Sequence, residues 1–193
     1  MLLASGLCVA AAGCFSPHTV ATRQFVLASA PPTGAAPATN VRLGVRVVGM
    51  PEYLNSGSLA VRVSASEIRY LETALWAERL DHGFERVLAA GLSAMIPTEQ
   101  VRLGAWRTDD ITLEVHVRVE QFDVDQHGQG KLVAVWRITS PGDGKVLKSG
   151  TARMTRSGKP LASDAQNLVT TLSELTTDFS RALTEAIKDI PPQ

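Results

Sequence analysis

The chain of 193 residues is long enough for one domain of ordinary size with tails, and its 45% hydrophobic residues are enough for a packed core. Nineteen basic residues balance nineteen acidic ones, which argues against a nucleic-acid-binding protein and against electrostatic capture by anionic membrane surfaces. Both cysteines, Cys8 and Cys14, lie near the N terminus. The rest of the chain can therefore form no internal disulfide, thiolate metal site or cysteine nucleophile.

The first thirteen residues are apolar and mostly small, and they are too few for a membrane-spanning helix, which needs about 20 apolar residues. A short apolar run that ends in small residues before a cysteine is typical of a secretory signal with a lipoprotein cleavage site. We therefore predict a signal peptide at 1–13, attachment of a diacylglycerol to the Cys14 thiol, and a lipidated tether at 14–22. Cys8 fits less well because Leu7 precedes it. An uncleaved apolar N terminus is the alternative, since no Lys or Arg precedes the apolar run.

Alternation of apolar and polar residues predicts four strands in the first half of the chain, at 23–29, 41–50, 59–63 and 67–71. Between the first two strands, residues 30–40 hold three prolines together with Ala, Thr and Gly. This composition predicts a flexible loop.

The clearest predicted element is a helix. Apolar residues recur at three- and four-residue spacing from Leu80 to Met95, and Pro97 ends the run because the residue before a proline avoids helical angles. Trp76 is predicted to lie in the turn before this helix. A short strand at 100–103 follows, so the strand–helix–strand unit from 67 to 103 could place two strands parallel through a right-handed crossover.

A three-stranded antiparallel meander is predicted in the second half, at 111–119, 131–139 and 146–155. Its first strand alternates without a break, which indicates one core face and one face that is wet or meets a polar partner. A terminal helix is predicted from a cap at Ser163 to about Asp189, packed beside the first helix or against a neighbouring subunit. These elements predict a fold between α/β and α+β, with two main helices on a mixed, mostly antiparallel sheet of about six strands, in a domain at 23–190.

No catalytic set is apparent in the sequence. The histidines lack a spaced His, Cys or carboxylate partner for a metal site and are interpreted as surface residues: His18, His82, His116 and His127. Two carboxylate pairs, Asp109–Asp110 and Asp123/Asp125, could bind a cation, but aspartate also favours turns at such places. The glycines of the second half join strands and do not open a helix, as a phosphate site requires, and there is no Gly-x-Ser-x-Gly elbow. We therefore predict no enzyme, no metal site and no cofactor.

The most distinctive residues lie between the second strand and the first helix. Trp76 and Glu78 are interpreted as structural, the indole filling the space where the helix begins and Glu78 favouring the helix N terminus. Direct contact with a partner is the alternative for both. Tyr53 and Leu54 follow Pro51 in a loop, where exposed apolar residues can mark a contact surface. These four residues form the candidate motif, with a partner-contact or a structural role.

The order of these residues resembles the PqiC/YmbA-type family of ABC-transport auxiliary lipoproteins. The resemblance covers nearly the whole mature chain and is most specific at the Trp-Ala-Glu stretch that begins with Trp76. Other matching positions are Pro51, Tyr53, Leu54, 59–62, Ile68, Arg69, Leu80 and 86–88, with looser matches at 119–122, 132–136 and 172–187.

The resemblance implies an outer-membrane lipoprotein with Cys14 as its anchor, working beside an MCE-domain protein and an integral-membrane or ABC component. Such proteins serve lipid traffic between the two membranes and protect the envelope. Phe15, not Asp, follows Cys14, and the resemblance associates this with the outer membrane. It also implies a three-layer α/β arrangement and self-association as a ring.

Three functions follow as hypotheses. The first is a non-enzymatic, lipid-anchored docking component of an MCE-type intermembrane lipid-transport system. The second is a periplasmic protein that holds a lipid or small molecule in its own apolar cavity, which a filled core would count against. The third is a hydrolase, which the missing nucleophile–base set makes the weakest.

Overall fold

The computed structural model describes residues 21–29, 41–96, 100–161 and 164–191. The predicted signal peptide, Cys14 and most of the tether lie outside these ranges. So do the predicted loop at 30–40, the predicted cap Ser163 and the predicted stop Pro97.

Eight strands and two α-helices follow one another along the described residues. They are β1 (Arg23–Phe25), β2 (Leu43–Gly49), β3 (Ser58–Arg62), β4 (Ile68–Trp76), α1 (Leu80–Met95), β5 (Val101–Leu103), β6 (Leu113–Asp125), β7 (Gln129–Thr139), β8 (Val146–Ser157) and α2 (Gln166–Lys188). Short 3-10 helices lie at Glu52–Asn55 and Thr108–Asp110. Within the described ranges, neither α1 nor α2 combines the length and hydropathy of a membrane-spanning helix.

All these strands belong to one mixed sheet that forks at β6. One edge of β6 pairs with β7 over most of its length, and β8 continues the sheet on that side. The other edge pairs first with β2, which leads to β5, and then near its end with β3, which leads to β4 and β1. A bulge interrupts β6 between Val119 and Gln121, and bulges increase local twist. The 3-10 helix Glu52–Asn55 links β2 to β3 across this fork.

The predicted mixed class with two main helices is confirmed, and the two longest ladders, β6–β7 and β7–β8, are antiparallel. The sheet holds eight strands where about six were predicted, although the two shortest, β1 and β5, lie within segments that were each predicted as strands, at 23–29 and 100–103. The predicted crossover from β4 to β5 is wrong. The two strands lie near opposite ends of the strand order and run antiparallel, since β3, β6 and β2 are inserted between them.

Both helices pack on the same face of the sheet, so the described residues form two layers where the resemblance implies three. The space between layers is filled by an aromatic cluster, in which the Phe84 ring of α1 lies 5.0 Å from Phe122 of β6 and 6.2 Å from Phe179 of α2. All three phenylalanines are fully buried. Aromatic pairs at such distances stabilise a core beyond their buried area, by about 0.5–1.5 kcal/mol each.

The two helices approach closely because small residues line their contact. A Cβ atom at Gly91 of α1 would collide with the Ser180 hydroxyl of α2. Ser180 is fully buried, and its hydroxyl donates to the Thr176 carbonyl oxygen one turn back, at 2.9 Å. The same back-bonding satisfies the other buried hydroxyls of α2, so small polar residues are tolerated in this interface. α2 therefore lies beside α1 on the sheet, which is one of the two placements that were predicted for it.

Candidate functional site

The fork in the sheet is closed by a buried ion pair. Asp123 of β6 is only 2% exposed, and its Oδ2 accepts from Arg62 Nε at 2.8 Å and from Arg62 Nη2 at 2.6 Å. The Tyr53 hydroxyl donates to the same oxygen at 2.8 Å, and Gln121 Nε2 donates to Oδ1 at 2.9 Å. We call Tyr53, Arg62, Gln121 and Asp123 the fork cluster. Every oxygen of the buried carboxylate has a donor, as burial of a charge requires.

The fork cluster overturns two predictions. Asp123 was interpreted with Asp125 as flanking a turn, but β6 extends past Asp123, and a guanidinium already balances its charge. Tyr53 was predicted in an exposed loop, but it is half-buried in the first 3-10 helix, and Leu54 beside it is 2% exposed. Burial, then the neighbouring Asp123, raises the pKa of the Tyr53 hydroxyl well above its ordinary value, so the group stays protonated as a donor.

Trp76 and Glu78 lie at the corner between β4 and α1, away from the fork cluster. Trp76 is the last residue of β4, not part of a turn as predicted, and it is 9% exposed, in register with Phe25 of β1. Glu78 Oε1 accepts from Arg86 Nη2 at 2.5 Å, and Arg86 also donates to the Leu27 carbonyl oxygen. This corner joins α1 to the chain that follows β1. A cleft of about 270 Å³ opens beside it.

A second polar cluster lies on the face of the sheet opposite the helices, which we call the open face. Glu114 of β6 accepts from the Trp106 indole at 3.0 Å, from His116 Nε2 at 3.1 Å and from the Thr139 hydroxyl at 3.2 Å. Burial opposes ionisation, yet these three donors outweigh it and hold the pKa of Glu114 below its ordinary value. The surface interpretation of His116 is therefore wrong, because its side chain is 13% exposed and its Nδ1 is buried without a partner among the described residues.

Trp106 covers the part of the open face that β2 forms. The indole lies over Gly44, where a Cβ atom would approach Trp106 Cε2 to 2.7 Å. The Arg46 guanidinium lies 4.6 Å from the centroid of the same indole and donates to the Gly104 carbonyl oxygen at 2.7 Å. The segment between β5 and β6, which carries Trp106, thus covers β2 and the first half of β6 on the open face.

The remainder of the open face, on β7 and β8, is positively charged and is not covered by any of the residues that the structure describes. Cross-strand register places Arg118, Val135 and Thr151 in one row and Val133 beside Arg153 in the next. Val135 is 39% exposed. We define the cationic patch as Arg118, Lys131, Val133, Val135, Arg137 and Arg153. Alternation along each strand brings these residues to one face, a consequence of the period of two that the sequence shows.

The helix side carries a groove of about 510 Å³ between α2 and the residues after β1. Its charges are already paired, since Arg156 donates to Glu174 and Asp178 at 2.7 Å each, and Arg181 donates to Asp178 at 2.8 Å. We assign it no ligand, because a ligand of either charge would compete with these pairs. No three His, Cys, Asp or Glu side chains are grouped as a metal site within the described residues.

The comparisons with known proteins identify the family of the chain. The model of one family, described as ABC-type transport auxiliary lipoprotein component, matches residues 25–184. Among curated proteins, no match is found.

Solved structures resemble the fold at low sequence identity. Protein XCC0632 from Xanthomonas campestris is 15% identical with a TM-score of 0.69, covering 86% of this chain and 94% of that chain. An uncharacterized protein is 18% identical with a TM-score of 0.69, covering 87% of this chain and 99% of that chain. These likenesses show a shared fold, and the family match spans most of the sequence. The chain therefore belongs to the family of ABC-type transport auxiliary lipoprotein components.

Proposed function

We propose that the protein is a non-catalytic docking component of an MCE-type ABC lipid-transport system, held at the periplasmic face of the outer membrane by lipid on Cys14. The family match over 25–184 is the observation that carries the proposal, because that family consists of auxiliary lipoproteins of ABC-type transport. The cationic patch adds an uncovered charged surface on which such a component can meet a partner. We also propose, as part of the same function, that copies of the chain associate with one another.

The alternative, a lipid carrier with its own apolar cavity, has less support. A carrier needs space between the helices and the sheet, and there Phe84, Phe122 and Phe179 are packed against one another. The groove on the helix side is lined by paired charges such as Arg156 and Asp178, which do not suit an acyl chain.

The proposal is tested by mild crosslinking in intact cells, detergent extraction, and mass spectrometry of both the captured proteins and the mature N terminus. We expect an acylated Cys14 as the first residue and an MCE-domain protein among the captured components. Cys14→Ala should release the protein from the membrane fraction, and the matched control Cys8→Ala should leave anchoring unchanged. An unacylated protein that is recovered alone with bound lipid would instead establish the carrier.

A further inference from the structure

We propose that the cationic patch binds a protein segment of the transport partner that presents an apolar side chain between carboxylates. This inference rests on the proposed function and specifies the chemistry of the partner.

The charges of the patch are uncompensated, whereas those on the helix side are matched. Arg118, Lys131, Arg137 and Arg153 are exposed, and within the described residues none of them forms an ion pair. On the helix side, cations of β8 and α2 have carboxylate partners at 2.7–2.9 Å: Lys148, Arg156, Arg181 and Lys188. Nearby on β6, Glu114 is engaged by three donors, and Glu120 is exposed and has no partner in the described part of the chain. Clustered cations repel one another, and carboxylates from another molecule would relieve that repulsion.

The relief of the patch favours a protruding apolar group over a flat surface. Val133 and Val135 have short side chains, whereas the surrounding arginine and lysine side chains are several bonds longer. The apolar centre, in which Val135 is 39% exposed, is therefore flanked by longer charged side chains. A partner side chain can enter this centre while flanking carboxylates reach the guanidinium groups, and arginine suits such two-point contacts with carboxylates.

An anionic membrane fits the same charge less well. Membrane-binding surfaces insert large aliphatic or aromatic side chains among the headgroups, and the patch offers only the short side chains of two valines. Headgroups would meet only the tips of the basic side chains. The charge-balanced chain as a whole also gives little general attraction to an anionic surface.

The size of the patch argues against a second copy of the chain as the only occupant. Lys131 and Arg137 are six residues apart on β7, which is about 20 Å at strand spacing, and β6 to β8 span about 10 Å. The patch thus offers a few hundred Å², below the roughly 800 Å² per partner of a standard stable interface. A single segment of a partner matches this area better than a whole protein face.

The test places a photoreactive amino acid at Thr151, which pairs with Val135 and is exposed, or at Thr170 on the exposed side of α2 as a control. The full chain is expressed in intact cells and irradiated, and the joined peptides are identified by mass spectrometry. We expect position 151 to join a transport component through a peptide with carboxylates flanking an apolar residue. Arg137→Glu with Arg153→Glu should reduce that product at least tenfold, and Arg181→Glu with Lys188→Glu should leave it unchanged.

The other outcomes separate this inference from the function on which it rests. Transport components joined only from position 170 would keep the proposed function and overturn the docking surface. Products with lipid alone, or with a second copy of the chain, from position 151 would overturn the protein-segment assignment in favour of a membrane or an oligomer. No product with a transport component from either position would contradict both.

Discussion

The fork cluster and the cationic patch hold arginines on the same sheet, and their surroundings are opposite. Arg62 is bound to a buried carboxylate and a tyrosine hydroxyl, and it closes the gap where two branches of the sheet leave β6. Arg137 and Arg153 stand on the open face with no carboxylate partner among the described residues. The arginine that closes the fork is thus satisfied within the fold, whereas Arg137 and Arg153 are available to carboxylates of another molecule.

The largest effect is expected from removing the buried carboxylate. Asp123→Ala leaves the Arg62 guanidinium at the fork without its counter-charge, and breaking a buried pair in this way costs about 3–5 kcal/mol. Urea unfolding followed by circular dichroism measures the loss. The matched control is Glu120→Ala, an exposed carboxylate on the same strand, with a change within about 0.5 kcal/mol. Equal stability of the two variants would refute a structural role for the fork cluster.

A smaller effect is expected from the tyrosine of the same cluster. Tyr53→Phe removes a donor to the Asp123 carboxylate but leaves the arginine in place, so the free energy of unfolding should fall by about 1.5 kcal/mol. Tyr70→Phe is the control, because Tyr70 is exposed and its hydroxyl donates to the Tyr53 carbonyl oxygen at 3.1 Å and not to a carboxylate. If Tyr70→Phe lowered the free energy of unfolding more than Tyr53→Phe does, the hydrogen bond from Tyr53 to Asp123 would not be the stabilising interaction.

A pH-dependent effect is expected at Glu114, the paired carboxylate of the open face. The pKa of Glu114 in the folded protein lies below its ordinary value of 4.5. The ionised carboxylate therefore contributes to the free energy of unfolding above pH 4.5, and this contribution is lost as the pH falls through the folded pKa. Glu114→Gln should therefore cost about 1 kcal/mol at pH 7 and progressively less in acid. Unfolding curves from pH 7 to pH 3 measure this, with Glu120→Gln as the control. A cost that stays constant with pH would show that ionisation of Glu114 contributes nothing.

Elements with a strong period could be predicted from the sequence, and elements set by distant contacts could not. The stripe from Leu80 to Met95 and the alternation of β6 predicted their burial correctly, because one helix face or strand face meets the core. The fork could not be predicted, since it depends on a bulge after Val119 and on Arg62 meeting Asp123 across a separation of 61 residues. The sequence does hold one signal of the fork cluster. Asp123 has apolar neighbours in the chain, and a carboxylate that is buried with them needs a charged or hydrogen-bonding partner.

The candidate site was anticipated only in part. The strand predicted at 111–119 was expected to have one face that is wet or meets a polar partner, but the register that adds Arg137 and Arg153 to this face arises from pairing with β7 and β8. Each of these strands alternates by itself, and only the assembled sheet shows that their cations share a face. The motif residues Tyr53 and Trp76 were considered as possible partner contacts. In the structure Tyr53 is half-buried and Trp76 is buried.

The most direct measurement compares two sets of charge-neutral variants for stability and for capture of the transport complex. We expect Arg118→Gln with Arg137→Gln and Arg153→Gln to change the free energy of unfolding by less than about 0.5 kcal/mol per site, because none of the three forms an ion pair with a described residue, and to abolish co-purification with transport components. Lys148→Gln with Arg156→Gln, which breaks paired charges on the helix side, should lower stability and preserve capture. Patch variants that lose stability and still co-purify with transport components would show that the cations of the patch serve the fold and not docking, and would contradict the proposal.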